Sequence, residues 1–240
     1  MIVHIRLKLA LVLFLIASLL FGLSFLFSMP ESILQPFQRW NHGWKTSNLP
    51  ELTPIEVNAV SETIVGSLTT TKERTLIVKS LKYFSYSGSF LIWGTGKDTP
   101  FWERVNFGRN TFLENDPRWV DFGNKHSSDV QQVSYRTQNS EYKTYEPTDQ
   151  SLGMVLSSDV MKESWDVIFV DSPLGWGSGP GRMQPIYMSS KLANYRTHIC
   201  IHDFNREAES YWGDKMFGKS HKKICSDRMC CFYPQHIISD

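Results

Sequence analysis

Two glycines and one acidic residue form the first group that could bind a ligand. Gly94 and Gly96 follow an apolar run, and glycines at such a turn let the backbone approach a bound molecule closely. Glu114 ends the next apolar run, and a carboxylate at that position can accept hydrogen bonds from a ribose diol. The alternative is that Glu114 only holds the turn that leads to Pro117. We favour nucleoside binding, because the glycines and the acid occur together.

The pattern of the loop residues fits the binding of S-adenosylmethionine better than the binding of a dinucleotide. A dinucleotide-binding loop needs a third glycine at the position that Thr99 occupies. S-adenosylmethionine carries a ribose but no phosphate, so it needs no phosphate-binding loop. The sequence therefore predicts S-adenosylmethionine as the cofactor.

A second group of polar residues follows two later apolar runs. Asp171 ends one run, and the block His202-Asp203-Phe204-Asn205-Arg206 ends another. Asp171, Asp203 and Asn205 carry the oxygen ligands that a hard divalent cation prefers. The alternative is that Asp203 and Asn205 only cap the following helix, and for Asn205 the two interpretations are equally favoured. For His202 the alternatives are a general base, a metal ligand and an interior hydrogen-bonded side chain.

Three further features are candidates for contact with a substrate or for covalent stabilisation. Arg136 lies in a polar stretch and could meet an anionic group. Trp176 lies in a glycine-rich loop and is a candidate for stacking against a sugar ring. A disulfide from Cys225 to either Cys230 or Cys231 is possible in an oxidising compartment.

The elements that must position these residues alternate between strands and helices. This alternation predicts an α/β fold with a mostly parallel, Rossmann-like sheet covered by helices on both faces. Ligands of such sheets bind beyond the carboxyl ends of the strands, where the candidate residues lie. A helix capped by Ser61 is expected to continue to Leu81. The predicted strands are Phe90–Trp93, Thr111–Leu113, Val130–Tyr135, Trp165–Val170 and Thr197–Ile201.

The N-terminal part of the chain predicts a membrane anchor. Leu9–Phe27 contains nineteen residues without a charge, and at ~1.5 Å per residue this nearly spans a ~30 Å hydrocarbon core. Arg6 and Lys8 precede the run, which favours a cytosolic N-terminus and a lumenal C-terminal domain. The predicted organisation is a cytosolic tail at 1–8, a transmembrane signal anchor at 9–28, an irregular stem at 29–60 and a lumenal domain at 61–240.

The composition of the 240-residue chain restricts the class of protein. A hydrophobic fraction of 41% is enough for a packed core. The 25 basic and 24 acidic residues give a net charge of +1, which argues against a dedicated nucleic-acid-binding protein.

Laid out in order, these segments resemble the glucuronoxylan 4-O-methyltransferase family of plants, which includes the irregular-xylem-15 proteins. The resemblance covers about residues 84–216 and rests on an ordered set of blocks: FLIWGTGKD, TFLENDPRWV, SYRTQ, WDVIFVDSPLGW, PGRM and HICIHDFNRE. Leu174 departs from the lysine that is usual in the family.

The resemblance implies methyl transfer from S-adenosylmethionine to O-4 of glucuronic acid side chains on xylan, by a single-pass type II protein of the Golgi membrane. It also implies the involvement of a divalent metal. By motif position, Asp98 joins Gly94 and Gly96 in the cofactor loop, and Glu114 meets the ribose. Asp171, His202 and Asp203 are the expected catalytic residues. Either Arg182 or Arg206 is expected to hold the uronate carboxylate of an acidic polysaccharide.

Two other functions compete with this expectation. The first is a non-catalytic Golgi protein that supports polysaccharide synthesis and keeps the methyltransferase fold. The second is an enzyme that uses NAD or a nucleotide sugar, which Thr99 and the missing phosphate-binding loop disfavour.

Overall fold

The computed structural model describes residues 49–235, which contain a seven-stranded sheet with helices on both faces. The strands are β1 Phe90–Trp93, β2 Asn110–Glu114, β3 Val130–Gln132, β4 Val167–Val170, β5 His198–Ile201, β6 His221–Ser226 and β7 Met229–Pro234. The helices are α1 Pro54–Val60, α2 Thr71–Tyr83, α3 Thr99–Val105, α4 Pro117–Gly123, α5 Asp149–Leu152, α6 Ser158–Lys162, α7 Met183–Leu192 and α8 Glu207–Phe217. A 3₁₀ turn spans Asn139–Glu141.

The order of the strands is β3-β2-β1-β4-β5-β7-β6. The first five strands in this order are parallel, and β7 is antiparallel to both β5 and β6. The chain reverses its direction of progress across the sheet between β1 and β4. Such a switch point opens a crevice at the carboxyl ends of the strands, which is where ligands of open α/β sheets bind.

The central strands are buried on both faces, which explains why they are continuous apolar runs. Alternate residues of each strand enter different cores. Leu91 and Trp93 pack with α7 and α8 on one face, whereas Phe90 and Ile92 pack with α2 and α3 on the other. The prediction of a mostly parallel Rossmann-like sheet covered on both faces is confirmed.

The start of the first long helix differs from the prediction. Ser61 follows the end of α1, and α2 begins only after Thr70. Thr70 accepts a hydrogen bond from the backbone of Glu73, and Glu73 accepts one from the backbone of Thr70, so the two residues form a capping box. Val65 lies between the two helices and is 86% exposed, so the apolar residues of this stretch do not form the buried face of a single helix.

Two other local expectations also need correction. Residues 54–60 form the helix α1, which begins with its own capping box between Thr53 and Glu56, where an irregular stem was expected. Strand β3 ends at Gln132 rather than Tyr135. The two antiparallel strands β6 and β7 were not predicted.

Both disulfides of the described residues involve the β6–β7 hairpin: one closes it, and the other joins it to β5. Cys225 pairs with Cys230 across the hairpin, which is one of the two pairings that the sequence left open. Cys231 pairs with Cys200 on β5, a bond that the sequence did not suggest. Neighbouring residues of a strand point to opposite faces, so Cys230 and Cys231 can serve different partners.

No helix within residues 49–235 is long and apolar enough to cross a bilayer. The predicted anchor, Leu9–Phe27, lies outside the described residues, so it stays a prediction.

We expect the two disulfides to contribute unequally to stability. Their partners are separated by 31 residues for Cys200–Cys231 and by 5 residues for Cys225–Cys230. The chain-entropy rule gives about 4 kcal/mol for the first bond and about 2 kcal/mol for the second. Denaturant unfolding of the double alanine variant of each pair measures both values. An equal or reversed loss of unfolding free energy would contradict this assignment.

Candidate functional site

The turn after β1 lies directly against the ends of β2 and β4. The Gly94 N–H donates to the carbonyl of Leu113 at 2.8 Å, and Gly94 has a φ of 114°. A Cβ at Gly94 would lie 2.6 Å from the Cβ of Ser172, the second residue after β4. Only glycine satisfies both the positive φ and the close approach.

Glu114 holds this turn through both of its carboxylate oxygens. Oε2 accepts the Thr95 N–H at 2.9 Å, between the two predicted cofactor-loop glycines. Oε1 accepts the N–H groups of Asn115 and Asp116 at 2.6 and 2.8 Å. The glycine turn and the acid therefore lie together, as expected. The alternative interpretation of Glu114, that it holds the turn toward Pro117, is realised in the same contacts.

Asp98 is buried between the β1 turn and a segment that precedes α2. Its Oδ2 accepts from the Thr69 hydroxyl at 3.2 Å and lies 3.5 Å from the Ser67 hydroxyl. Burial, together with the charge of Asp171, raises the pKa of Asp98 to about 6. The Asp171 N–H donates to the Trp93 carbonyl at 3.0 Å, so the end of β4 lies beside the end of β1.

His202 lies between two carboxylates. Its Nδ1 is 2.6 Å from Asp171 Oδ1, and its Nε2 is 3.3 Å from Glu73 Oε2. Burial opposes the charge on the ring, but Asp171 and Glu73 outweigh it and raise the pKa of His202 to about 9. Near neutral pH His202 is therefore an imidazolium, which can donate protons but cannot accept one.

The two carboxylates beside His202 are held in the ionised form. Burial favours the neutral form of each, but the contacts with His202 and with other donors are stronger. They lower the pKa of Asp171, and they lower the pKa of the fully buried Glu73 to about 2. Asp171 differs from Glu73 in that 28% of its side chain is exposed. It is the carboxylate of this pair that a ligand can reach.

Three guanidinium groups surround Asp203. Its Oδ1 lies 3.0 Å from Arg228 Nη1, and its Oδ2 lies 3.0 Å from both Arg182 Nη2 and Arg206 Nη1. Asp203 adopts a φ of 55°, which non-glycine residues rarely adopt and which the surrounding contacts must stabilise. These contacts fix the chain just after β5.

Further contacts join these groups into a closed circuit. Arg182 Nη2 is 3.4 Å from Asp171, and Arg228 donates its backbone N–H to Glu73 at 2.9 Å. We call this circuit the charge ring; it consists of Asp171, His202, Glu73, Arg228, Asp203 and Arg182. Its members alternate in sign, so each buried charge has an opposite charge on either side.

The predicted metal ligands do not fit a divalent cation as they are arranged. Ligand atoms of Asp171, His202 and Asp203 lie within 4.8 Å of one another. However, both oxygens of Asp203 are bound to guanidinium groups, and Asp171 is bound to an imidazolium. Asn205 is exposed. A cation at this position would face four positive side chains, which does not suit a divalent metal.

The predicted substrate-binding residues divide into two groups. Arg182 is buried and donates to the carbonyls of Pro173 and His202 in addition to its two carboxylates. Arg136 donates to the carbonyls of Asp149 and Gln150, which ties down the start of α5. Arg206 and Trp176 are the better candidates. The Arg206 side chain is partly exposed and makes its described contacts through Nη1, and Trp176 is 60% exposed.

Sequence reasoning missed four residues of this region. They are Glu73, Tyr135, Glu209 and Arg228. The Thr70–Glu73 capping box could have located the start of α2, but nothing in the sequence indicates that Glu73 faces His202. Arg228 lies in the turn of a hairpin that was not predicted.

The strand order defines the fold class. A parallel sheet of order 3-2-1-4-5 completed by an antiparallel 7-6 hairpin is the arrangement of Rossmann-like methyltransferases, and the candidate site lies at its switch point. Solved structures give weaker likenesses. A 16S rRNA methyltransferase of T. thermophilus matches with a TM-score of 0.46 and 11% identity over 71% of this chain and 44% of that one. A putative O-methyltransferase from Klebsiella pneumoniae matches with a TM-score of 0.43 and 13% identity over 78% of this chain and 92% of that one. Both TM-scores are below 0.5, so the assignment rests on the topology.

Sequence comparison then finds relatives of this chain in one plant family. Residues 141–232 match the family model IRX15/IRX15L/GXM. Glucuronoxylan 4-O-methyltransferase 2 of Arabidopsis thaliana is 34% identical over 63% of this chain and 61% of its own length. Arabinogalactan O-methyltransferase 2 of the same plant is 31% identical over 56% of each chain. Protein IRREGULAR XYLEM 15 of Arabidopsis thaliana is 30% identical over 53% of this chain and 48% of its own length. The resemblance to this family is confirmed, and the chain spans less than two thirds of the length of these relatives.

The raised pKa of His202 predicts a stability that depends on pH. A group whose pKa is higher in the folded state stabilises that state fully below its ordinary pKa of 6.5. The contribution disappears as the pH rises through about 9. We expect the free energy of unfolding to fall by about 3 kcal/mol between pH 6.5 and pH 9.5. Denaturant unfolding across this range measures the change.

The control is a histidine outside the charge ring. His202→Gln should flatten the pH dependence, whereas His126→Gln, at an exposed position in the turn after α4, should retain it. If His202→Gln keeps the wild-type slope, His202 is not the group responsible.

Proposed function

We propose that this chain is an S-adenosylmethionine-dependent O-methyltransferase that acts on an acidic polysaccharide. The observation that carries the proposal is the contact between the β1 turn and Glu114 at the switch point of a methyltransferase sheet. The names of the relatives support a polysaccharide acceptor. We take O-4 of glucuronic acid side chains on a xylan-like glycan as the first acceptor to test, with arabinogalactan as the second.

The residues around the turn fit the proposed cofactor. A glycine backbone can lie close to a ligand, and the Glu114 carboxylate keeps acceptor capacity because its oxygens offer about four lone-pair sites. The Tyr135 hydroxyl is buried near Glu114 and Arg182 and has no hydrogen-bond partner among the described residues. An unpaired buried hydroxyl is costly, so a ligand donor or acceptor beside it accounts for its position.

Asp171 is placed to accept the proton of the acceptor hydroxyl. When bound, S-adenosylmethionine would supply a methyl group activated by its sulfonium, and Asp171 would take the proton of the hydroxyl that receives it. The hydroxyl becomes a much stronger acid as its oxygen forms the new bond, so a carboxylate with a lowered pKa suffices as the base. The main contribution of the protein is then alignment of the two reactants.

His202 supports Asp171 and does not itself accept the proton. Both of its nitrogens face carboxylates, and its raised pKa keeps it charged near neutral pH. It holds Oδ1 of Asp171, which leaves Oδ2 to take the proton of the sugar hydroxyl that is methylated.

Arg206 is the residue that we assign to the uronate carboxylate. Its Nη1 is bound to Asp203, and no described contact uses its Nε or Nη2, the edge that can make a bidentate pair with a carboxylate. Trp176 offers an exposed ring on which the sugar can stack.

We propose that the enzyme lies in the Golgi lumen behind the Leu9–Phe27 anchor. Two disulfides support an oxidising compartment, because such bonds are rare in the cytosol. The anchor carries the positive charges on its N-terminal side, which supports a type II orientation.

A second candidate function is a non-catalytic role in polysaccharide synthesis. One relative, Protein IRREGULAR XYLEM 15, carries no activity in its name. In this case Gly96→Arg, which would fill the cofactor turn, should leave the function of the chain in a cell unchanged.

The main experiment combines cofactor binding with methyl transfer. The full chain is titrated with S-adenosylmethionine by calorimetry, and transfer of a labelled methyl group is measured to glucuronoxylan, arabinogalactan and a neutral xylan. We expect binding and transfer to the uronate-bearing glycans. A folded chain that binds no S-adenosylmethionine would exclude the proposed activity.

Asp171→Asn separates catalysis from cofactor binding. We expect the cofactor affinity to change by less than about threefold while turnover falls by about 10²-fold or more, which is typical when a general base is removed. Asp121→Asn, at an exposed position on α4, is the matched control and should change neither quantity. An equal loss of affinity and turnover in Asp171→Asn would instead place Asp171 in the cofactor pocket.

A further inference from the structure

Glu209 is a buried carboxylate that the charge ring does not use. It is the third residue of α8, and its side chain is 0% exposed. Neither of its oxygens has a hydrogen-bond partner among residues 49–235. The charged atom beside it is Arg206 Nη1, at 3.8 Å from Oε1, which is too far for a hydrogen bond. Buried carboxylates are normally paired and hydrogen-bonded, so this arrangement requires an explanation.

A glycine of the loop after β4 covers Glu209. A Cβ at Gly175 would overlap Glu209 Oε1 and would lie 2.9 Å from Arg206 Nη1. The loop can therefore lie on this pair only because residue 175 has no side chain. The next residue is Trp176, whose ring is exposed, and a Cβ at Gly177 would meet no atom within 4 Å. The loop is thus tightly packed at Gly175 and open at its tip.

Glu209 and Arg206 lie against the loop at Gly175, Trp176 is the next residue of that loop, and the three side chains have complementary chemistry. Trp176 offers an apolar face, Arg206 offers unused donors to a carboxylate, and Glu209 offers two unused acceptors. A pyranose uronate has a matching set, namely an apolar ring face, a carboxylate and neighbouring hydroxyl donors. A neutral sugar lacks the carboxylate, and a peptide lacks the row of hydroxyls.

We propose that Glu209 is a substrate-binding residue whose carboxylate accepts hydrogen bonds from the hydroxyls of a uronic acid held by Arg206. Movement of the loop at Gly175 exposes Glu209 to the sugar, and the sugar then supplies the donors that the carboxylate lacks. This inference rests on the proposed function and adds a residue to its acceptor site.

Without a bound sugar, the folded protein should be less stable with the Glu209 carboxylate than with a neutral side chain at this position. Burial raises the pKa of Glu209, which shows that the folded protein disfavours its charge. Residues kept for binding at the expense of stability are common in functional sites. Replacing the carboxylate by a neutral amide of the same shape should therefore not lower the melting temperature.

The experiment compares Glu209→Gln with Glu207→Gln. Glu207 lies two residues earlier on the same helix and is exposed, where it pairs with Lys143. The probes are a glucuronic-acid-bearing xylo-oligosaccharide and S-adenosylmethionine, each titrated by calorimetry into the full chain, and thermal melts are recorded without ligand. For Glu209→Gln we expect at least tenfold weaker binding of the oligosaccharide, unchanged binding of S-adenosylmethionine and a melting temperature equal to or above that of the wild type. Glu207→Gln should match the wild type in all three.

Each result decides between a binding and a structural role. If Glu209→Gln melts several degrees lower, fails to fold or binds the oligosaccharide like the wild type, Glu209 is a structural residue and the inference is wrong. The proposed function fails separately, when the wild type binds no S-adenosylmethionine and transfers no methyl group. A wild type that transfers a methyl group to the uronate, with an unchanged KM in Glu209→Gln, refutes only the inference.

Discussion

The arrangement of the site depends on the pairing of charges that are buried beside the sheet. Removing one partner of a buried ion pair typically costs 3–5 kcal/mol, because the other charge is left without compensation. In the charge ring, His202 has a carboxylate on each side, and Asp203 has three guanidinium groups around it. No member can change its charge or position without affecting two neighbours. The ring therefore fixes the ends of β4 and β5 relative to each other.

The ring also explains why the chain needs elements outside the parallel sheet. Glu73 comes from α2, before the first strand, and Arg228 comes from the turn between β6 and β7. Cys225–Cys230 closes the hairpin that carries this turn, and Cys200–Cys231 attaches the hairpin to β5, whose end carries His202. Segments that are distant in the sequence are thus covalently and electrostatically joined at one site.

The parts of the fold that the sequence predicts are those with a local signal. Strands such as Phe90–Trp93 are continuous apolar runs because helices cover both faces, and a short buried run between glycines and polar residues is recognisable. The residues that follow these strands were identified for the same reason. Gly94, Glu114, Asp171 and His202 all lie at strand ends, and the parallel topology brings strand ends together.

The parts that the sequence did not predict depend on contacts between distant segments. Strand β6, with the sequence HKKICS, has no continuous apolar run, and the sheet holds it through pairs with distant residues: β6 pairs with β7, β7 pairs with β5, and disulfides join the three strands. The charge of His202 was also not predictable, because it depends on Glu73, which is 129 positions earlier in the chain. The roles of individual ionisable groups therefore required the three-dimensional arrangement.

The charge ring also determines which group is available for chemistry. The Glu73 and Asp203 carboxylates are enclosed, and His202 is held as a cation between its partners. Asp171 is the ring carboxylate with appreciable exposure, and its Oδ1 is already occupied by His202 and Arg182. In the proposed reaction, Oδ2 is then the oxygen that accepts the proton of the substrate hydroxyl. Because the network pairs its other carboxylates and its imidazolium, it leaves one carboxylate oxygen at the edge of the sheet for the proposed chemistry.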